Sequence, residues 1–79
     1  MAQSVTVYST ATCPYCKMVK DFLRQNNIAF VEVDVAQDQR AAQEMVNKSG
    51  QMGVPQLEID GQIIVGFDRV AIKKALNLP

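Results

Sequence analysis

The sequence predicts a small α/β fold: a four-stranded mixed sheet flanked by three helices, in the order β-α-β-α-β-β-α. Three observations lead there. Apolar and polar residues alternate in short β-rich segments near the start of the chain. Between those segments, apolar residues return at helical spacing. Late in the chain, Asp60-Gly61 separates two short β-rich runs, the signature of a tight hairpin. The 79 residues make one domain, expected to span residues 1–79.

Val5-Thr6-Val7-Tyr8 alternates and reads as the first strand. Ser9 to Thr12 reads as a polar loop leading to Cys13. From Pro14 to Gln25 the apolar residues Met18, Val19, Phe22 and Leu23 mark one face of a helix, with Lys17, Lys20, Asp21 and Arg24 toward solvent. Pro14 suits the first helical position, where a missing N–H costs nothing, and Asn26-Asn27 ends the helix. Phe30 to Val35 reads as a second strand with Val31, Val33 and Val35 on one face and Glu32 and Asp34 on the other. Strand, helix and strand in succession imply a parallel pair with a right-handed crossover. Asp38 to Ser49 is the second helix, with Asp38 as its N-cap, Ala42, Met45 and Val46 as its buried stripe, and Glu44 spaced to support Lys48. Gly50 suits a left-handed stop. The hairpin strands are Gln56-Leu57-Glu58-Ile59 and Gln62-Ile63-Ile64-Val65. The last helix runs from Asp68 to Asn77 with Ala71, Ile72, Ala75 and Leu76 inward. Helices on both faces of such a sheet give the thioredoxin-like arrangement in its smallest form.

Eight basic residues balance eight acidic ones. A nucleic-acid binder normally carries a basic excess, so no nucleic-acid partner is expected. No stretch approaches the ~20 apolar residues of a membrane span, so no membrane is expected either. Met1-Ala2-Gln3-Ser4 lacks the charged start and apolar core of a signal peptide. The expectation is a cytoplasmic monomer. In a reducing compartment, a cysteine pair points to redox catalysis or metal binding rather than to a structural disulfide.

The two cysteines, Cys13 and Cys16, form a C-x-x-C at a helix start. Disulfide exchange needs an attacking thiolate and a second thiol close enough to resolve the mixed disulfide. Cys13 as N-cap would face the free amides of Tyr15 and Cys16, which stabilise a thiolate together with the positive end of the helix dipole. Cys13 is thus the expected nucleophile and Cys16, one turn in, the resolving thiol. A C-x-x-C is also half of a zinc site. With no histidine and no further cysteine, one chain cannot complete that site, so neither a metal nor a bound cofactor is expected. Tyr15 reads equally as a partner contact or as an exposed aromatic. Val54-Pro55 reads as an ordinary proline at a strand start, or as a cis bond that turns the Val54 backbone toward the cysteines to pair with a substrate strand. Gly66-Phe67-Asp68-Arg69 reads as a turn with Asp68 capping the last helix. A further role is open there: Asp68 taking an ammonium group while free amides take a carboxylate.

Over essentially its whole length the chain resembles the glutaredoxins. Cys13-Pro14-Tyr15-Cys16 matches the motif of the dithiol members. Val54-Pro55 falls where the family has Thr-Val-cis-Pro, and Gly66-Phe67-Asp68 falls where many members carry Gly-Gly-x-Asp-Asp. Gln51-Met52-Gly53-Val54-Pro55 and Ile64-Val65-Gly66-Phe67-Asp68 are similar to the short bacterial glutaredoxin-like proteins. That group is itself similar to glutaredoxin-shaped electron donors served by thioredoxin reductase. The resemblance implies a dithiol–disulfide oxidoreductase that reduces protein disulfides, with Cys13 as nucleophile and a cis bond at Val54–Pro55. Its reductant would be glutathione or a flavin disulfide reductase. Substrate contacts would fall on Tyr15, Gln51, Val54, Pro55, Gly66, Phe67 and Asp68, with an apolar rim from Tyr15, Met52, Val54 and Phe67. Three departures bear on the reductant. Thr10 stands where typical glutathione users have lysine, Met52 where many have a basic residue, and Arg69 where they have a second aspartate. The alternative class is a metal module in which two chains hold zinc, or an iron–sulfur cluster completed by glutathione thiols; Pro14 disfavours it by stiffening the loop.

Overall fold

The computed structural model describes residues 4–78. The expectation about a leader rests on Met1 to Ser4, of which Met1 to Gln3 lie outside the described residues. The elements are β1 (Val5–Ser9), α1 (Pro14–Gln25), β2 (Val31–Asp34), α2 (Gln39–Ser49), β3 (Gln56–Ile59), β4 (Gln62–Val65) and α3 (Arg69–Leu76). The strands lie in the order β2-β1-β3-β4. β1 and β2 are parallel, joined across α1, while β1–β3 and β3–β4 are antiparallel. The expected element order and mixed sheet are both present.

The main core lies between one sheet face and two helices. Val5 and Val7 of β1, Leu57 and Ile59 of β3 and Ile64 of β4 meet Val19 and Leu23 of α1 and Ile72 and Leu76 of α3. Period-2 alternation puts the strand residues on one face. The opposite face meets α2. There the Lys48 ammonium lies 2.7 Å from Glu58 Oε1, and the Tyr8 hydroxyl lies 3.4 Å from the same oxygen. Lys48 therefore pairs with the sheet, not with Glu44 as its helical spacing suggests. Of the expected α2 stripe, Met45 is buried and Ala42 and Val46 are half-buried.

The local stops follow the sequence. Asp38 Oδ1 accepts from Ala41 N–H at 3.0 Å and Asp68 Oδ1 from Ala71 N–H at 3.1 Å, so each aspartate caps its helix. Gly50 ends α2 at φ 76°. Asp60 and Gly61 both take positive φ, 49° and 88°, as a type I′ hairpin turn requires.

Two expectations change. Ser9 is not a loop residue but the last residue of β1, and it is buried. β2 is shorter than expected and sits at the sheet edge. Its register pairs Thr6 with Val31 and Tyr8 with Val33, so the valines face the α2 side and not the main core. Val31 is accordingly 62% exposed. Among the described residues no helix is long and apolar enough to cross a membrane.

Truncating Leu57, which is fully buried, leaves a cavity between sheet and helices. Leu57→Ala is expected to lower the unfolding free energy by about 2–5 kcal/mol in urea titration, and Val31→Ala by under about 1 kcal/mol.

Candidate active site

β1 delivers the chain to a short loop whose Thr10 carbonyl accepts the Cys13 N–H at 3.4 Å. Cys13 then leaves the loop in an extended conformation (φ −93°, ψ 110°) and caps α1, with Pro14 in the first turn. Its Sγ accepts the Cys16 N–H at 3.1 Å. The Tyr15 amide, expected as a second donor, makes no such bond; the sulfur takes the amide of the third helical residue alone, a normal reach for a cap. The sulfur is partly exposed and sits at the positive end of the helix.

Cys16 is different. It is 1% exposed, and burial pushes its thiol up from 9.0 to about 11, with the hydrogen bond to Cys13 adding to the effect. The Thr10 backbone and the Lys20 ammonium pull the other way and do not cancel it. At neutral pH this buried sulfur carries its proton. Both cysteines are free thiols.

Across from Cys13 runs the segment between α2 and β3. The Val54–Pro55 bond is cis. The Val54 carbonyl lies 3.8 Å from Cys13 Sγ and accepts its thiol proton. The Val54 N–H has no partner among the described residues. Pro55 is buried, and its carbonyl accepts the Gly66 N–H at 2.9 Å, which ties the segment to the end of β4. Gly66 takes φ 83°, a conformation that favours glycine.

The next residue, Gln56, was not among the expected site residues. It is fully buried. Its Nε2 donates to the Gln51 carbonyl at 3.0 Å and to the Gly53 carbonyl at 2.8 Å, while its Oε1 is buried without a partner. Such a bare acceptor costs about 1–3 kcal/mol. Gln51 thus joins the site through its backbone, and its side chain is exposed.

The expected apolar rim is only partly present. Tyr15 is 61% and Met52 81% exposed. Phe67 instead packs edge-on against Phe22, ring centres 5.9 Å apart, with the Arg69 guanidinium 6.0 Å above it. Met18, read as a core residue, is 46% exposed. It lines an open groove of about 250 Å³ between α1 and the start of α3 with Asp21, Phe22, Gln25, Phe67 and Arg69. Asp68 is already engaged as the α3 cap. Hydrogen bonds and the chain itself therefore join Cys13, Cys16, Val54, Pro55 and Gly66, with Gln51 linked through Gln56, into one cluster, and leave Tyr15 as an exposed flank.

Beneath Cys16, Lys20 Nζ lies 2.6 Å from Glu32 Oε2, and the Ser9 hydroxyl donates to the same oxygen at 3.1 Å. The Lys20 hydrogen bond holds the Glu32 carboxyl below its ordinary 4.5; burial opposes it, and the Ser9 hydrogen bond adds a smaller lowering. Among the described residues no group of three or more His, Cys, Asp or Glu side chains comes together as a metal site.

The Glutaredoxin family model matches residues 5–64. A glutaredoxin-like 8.6 kDa protein of the rubredoxin operon of Clostridium pasteurianum is 49% identical over 73 residues, covering 92% of this chain and 97% of that protein. Glutaredoxin 3 of Escherichia coli K12 is 37% identical over 65 residues, covering 82% and 78% of the two chains. Among solved structures, a variant of the thioredoxin-like protein BC3987 superposes with a TM-score of 0.91 at 33% identity, covering 96% of this chain and 97% of that one. A buckwheat glutaredoxin–glutathione complex gives a TM-score of 0.76 at 26% identity, covering 95% and 71%.

Because the Glu32 carboxyl is lowered in the folded state, its contribution is present above 4.5 and is lost as pH falls through the lower folded value. Glu32→Gln is expected to melt below wild type at pH 7, and the gap is expected to close as thermal melts are repeated toward pH 2. A gap that does not change with pH contradicts this.

Proposed function

The chain belongs to the glutaredoxin family, whose members are thiol–disulfide oxidoreductases, and from that premise we propose that it reduces disulfides in other proteins through Cys13 and Cys16. The observation that carries this reading is the asymmetry of the two sulfurs: one partly exposed at a helix start, the other buried and protonated behind it.

The Cys13 thiolate attacks one sulfur of the substrate disulfide. A mixed disulfide forms, and the other substrate sulfur leaves as a thiolate that takes a proton. Cys16 then gives up its proton and attacks Cys13 Sγ. The mixed disulfide breaks, the second substrate thiol leaves, and Cys13–Cys16 becomes a disulfide. Two electrons and two protons have passed to the substrate. The high pKa of Cys16 keeps it inactive in the first step. The second step needs its deprotonation, which the Lys20 ammonium favours. A substrate backbone running antiparallel to residues 53–55 pairs with the free Val54 N–H and with its carbonyl, as an added strand would. Tyr15 and Met52 flank that strand as exposed apolar contacts. The domain spans residues 1–79 and acts as a monomer in the cytoplasm, where thiols stay reduced.

Two electrons must return from a reductant. The buckwheat relative's complex makes glutathione one source. In this chain Thr10 and Met52 supply no charge for a glutathione carboxylate. Arg69 adds a cation next to the α3 start, where an ammonium group seeks an anion. We therefore assign the reductant to a flavin disulfide reductase ahead of glutathione.

Cys13→Ser is expected to abolish turnover of a protein disulfide such as that of insulin. Cys16→Ser is expected to accumulate a mixed disulfide visible by mass spectrometry under non-reducing conditions. Turnover by Cys13→Ser overturns the assignment. In coupled assays, thioredoxin reductase is expected to support faster turnover than glutathione with its reductase; the reverse order overturns the reductant assignment.

A further inference from the structure

We propose that Gln56 is a positioning residue for the substrate strand: its buried amide sets the geometry of the segment that presents Val54 to the incoming disulfide. This rests on the reading that the Val54 backbone pairs with substrate, and extends it to a residue that touches neither sulfur.

Gln56 opens β3, where it is paired with Tyr8 on one side and Val65 on the other, so its backbone is fixed by the sheet. Its side chain turns back along the preceding segment. One nitrogen donates to two carbonyls, Gln51 at 3.0 Å and Gly53 at 2.8 Å. Only a group with two N–H donors on one atom can do this at once, which among buried neutral side chains selects an amide. These bonds pin residues 51–53 to the sheet immediately before Val54. On the α2 side the Ser49 hydroxyl accepts the Gln51 N–H at 3.1 Å, and its one proton lies between the Met45 carbonyl at 2.9 Å and the same Gln51 carbonyl at 3.1 Å. With the Gly66–Pro55 bond on the far side, the Val54 amide stays free among the described residues, as does that of Gly53, and the Val54 carbonyl stands over Cys13. The bare Oε1 argues in the same direction. Were Gln56 merely filling the core, an apolar side chain of equal size would do so without stranding an acceptor. The amide supplies two donors, and both act on the segment that leads to Val54.

Gln56→Met keeps the length and burial of the side chain, removes both donors and removes the stranded acceptor. The fold is expected to stay intact, with a melting temperature at or above wild type. The test compares three substrates: a cystine-containing peptide, the same peptide N-methylated at the amide that faces the Val54 carbonyl, and the small dialkyl disulfide bis(2-hydroxyethyl) disulfide. Wild type is expected to prefer the unmethylated peptide over its methylated form by about tenfold in kcat/KM, the worth of roughly one hydrogen bond. In Gln56→Met that preference is expected to fall to within about twofold, through a raised KM for the peptide, while turnover of the dialkyl disulfide stays within about twofold of wild type. Preference retained in Gln56→Met overturns the role of Gln56. No preference in wild type overturns instead the pairing with Val54. Parallel loss of all three activities shows a structural role only and also overturns the proposal. Should Gln56→Met not fold, Gln56→Glu decides: its protonated carboxyl donates and its carboxylate does not, so its peptide KM is expected to fall as pH is lowered from 7 to 5, relative to wild type. An unchanged ratio overturns the proposal.

Discussion

The 3.1 Å hydrogen bond from the Cys16 amide to Cys13 Sγ joins the fold to the chemistry. A helix start has unpaired amides, and something must accept them. Here the acceptor is a sulfur, so the requirement that completes α1 also fixes Cys13 Sγ at the positive end of the helix. The amide donor belongs to the other cysteine, so one hydrogen bond sets the separation of the pair as well. Everything else in the site serves this contact. The parallel β1–α1–β2 unit brings the helix start to the end of the sheet. The antiparallel β3 brings Val54 and Pro55 up to the same end.

The second sulfur is controlled by a different force. Cys16 is one turn inside the helix and faces the core, and loss of solvent keeps it protonated. Helix geometry alone therefore yields two unlike thiols from two identical residues three positions apart. No charged side chain hydrogen-bonds either sulfur among the described residues; the Lys20 ammonium acts on Cys16 through its charge, and it pairs with Glu32, whose same oxygen accepts the Ser9 hydroxyl.

What the sequence discloses about this fold is what is local. Asp38 and Asp68 as caps, Gly50 as a stop, Asp60-Gly61 as a turn and Cys13 as the head of a helix each depend on a few consecutive residues, and each stands where its pattern puts it. What the sequence hides is set by partners far along the chain. The valines of β2 look like a core face, yet an edge position and a register fixed by β1 turn them to the less covered side. Lys48 has a helical neighbour of opposite charge at the right spacing, yet tertiary packing offers it Glu58. Met18 lies at the margin of the apolar stripe of α1, and the position of α3 leaves it at a groove rather than in the core. Gln56 is the clearest case: a glutamine at the start of a strand carries no pattern, and its role emerges only when the Gln51 and Gly53 carbonyls fold back onto it. Composition has no bearing on that.

The asymmetry of the two thiols is tested most directly by timed alkylation of the reduced protein with iodoacetamide at pH 7, followed by peptide mapping. A buried thiol at about 11 has roughly a hundredth of the thiolate of one at 9.0, before its lack of access is counted. The account predicts label on Cys13 while Cys16 remains unmodified. Equal labelling of the two cysteines, or label appearing first on Cys16, would contradict it.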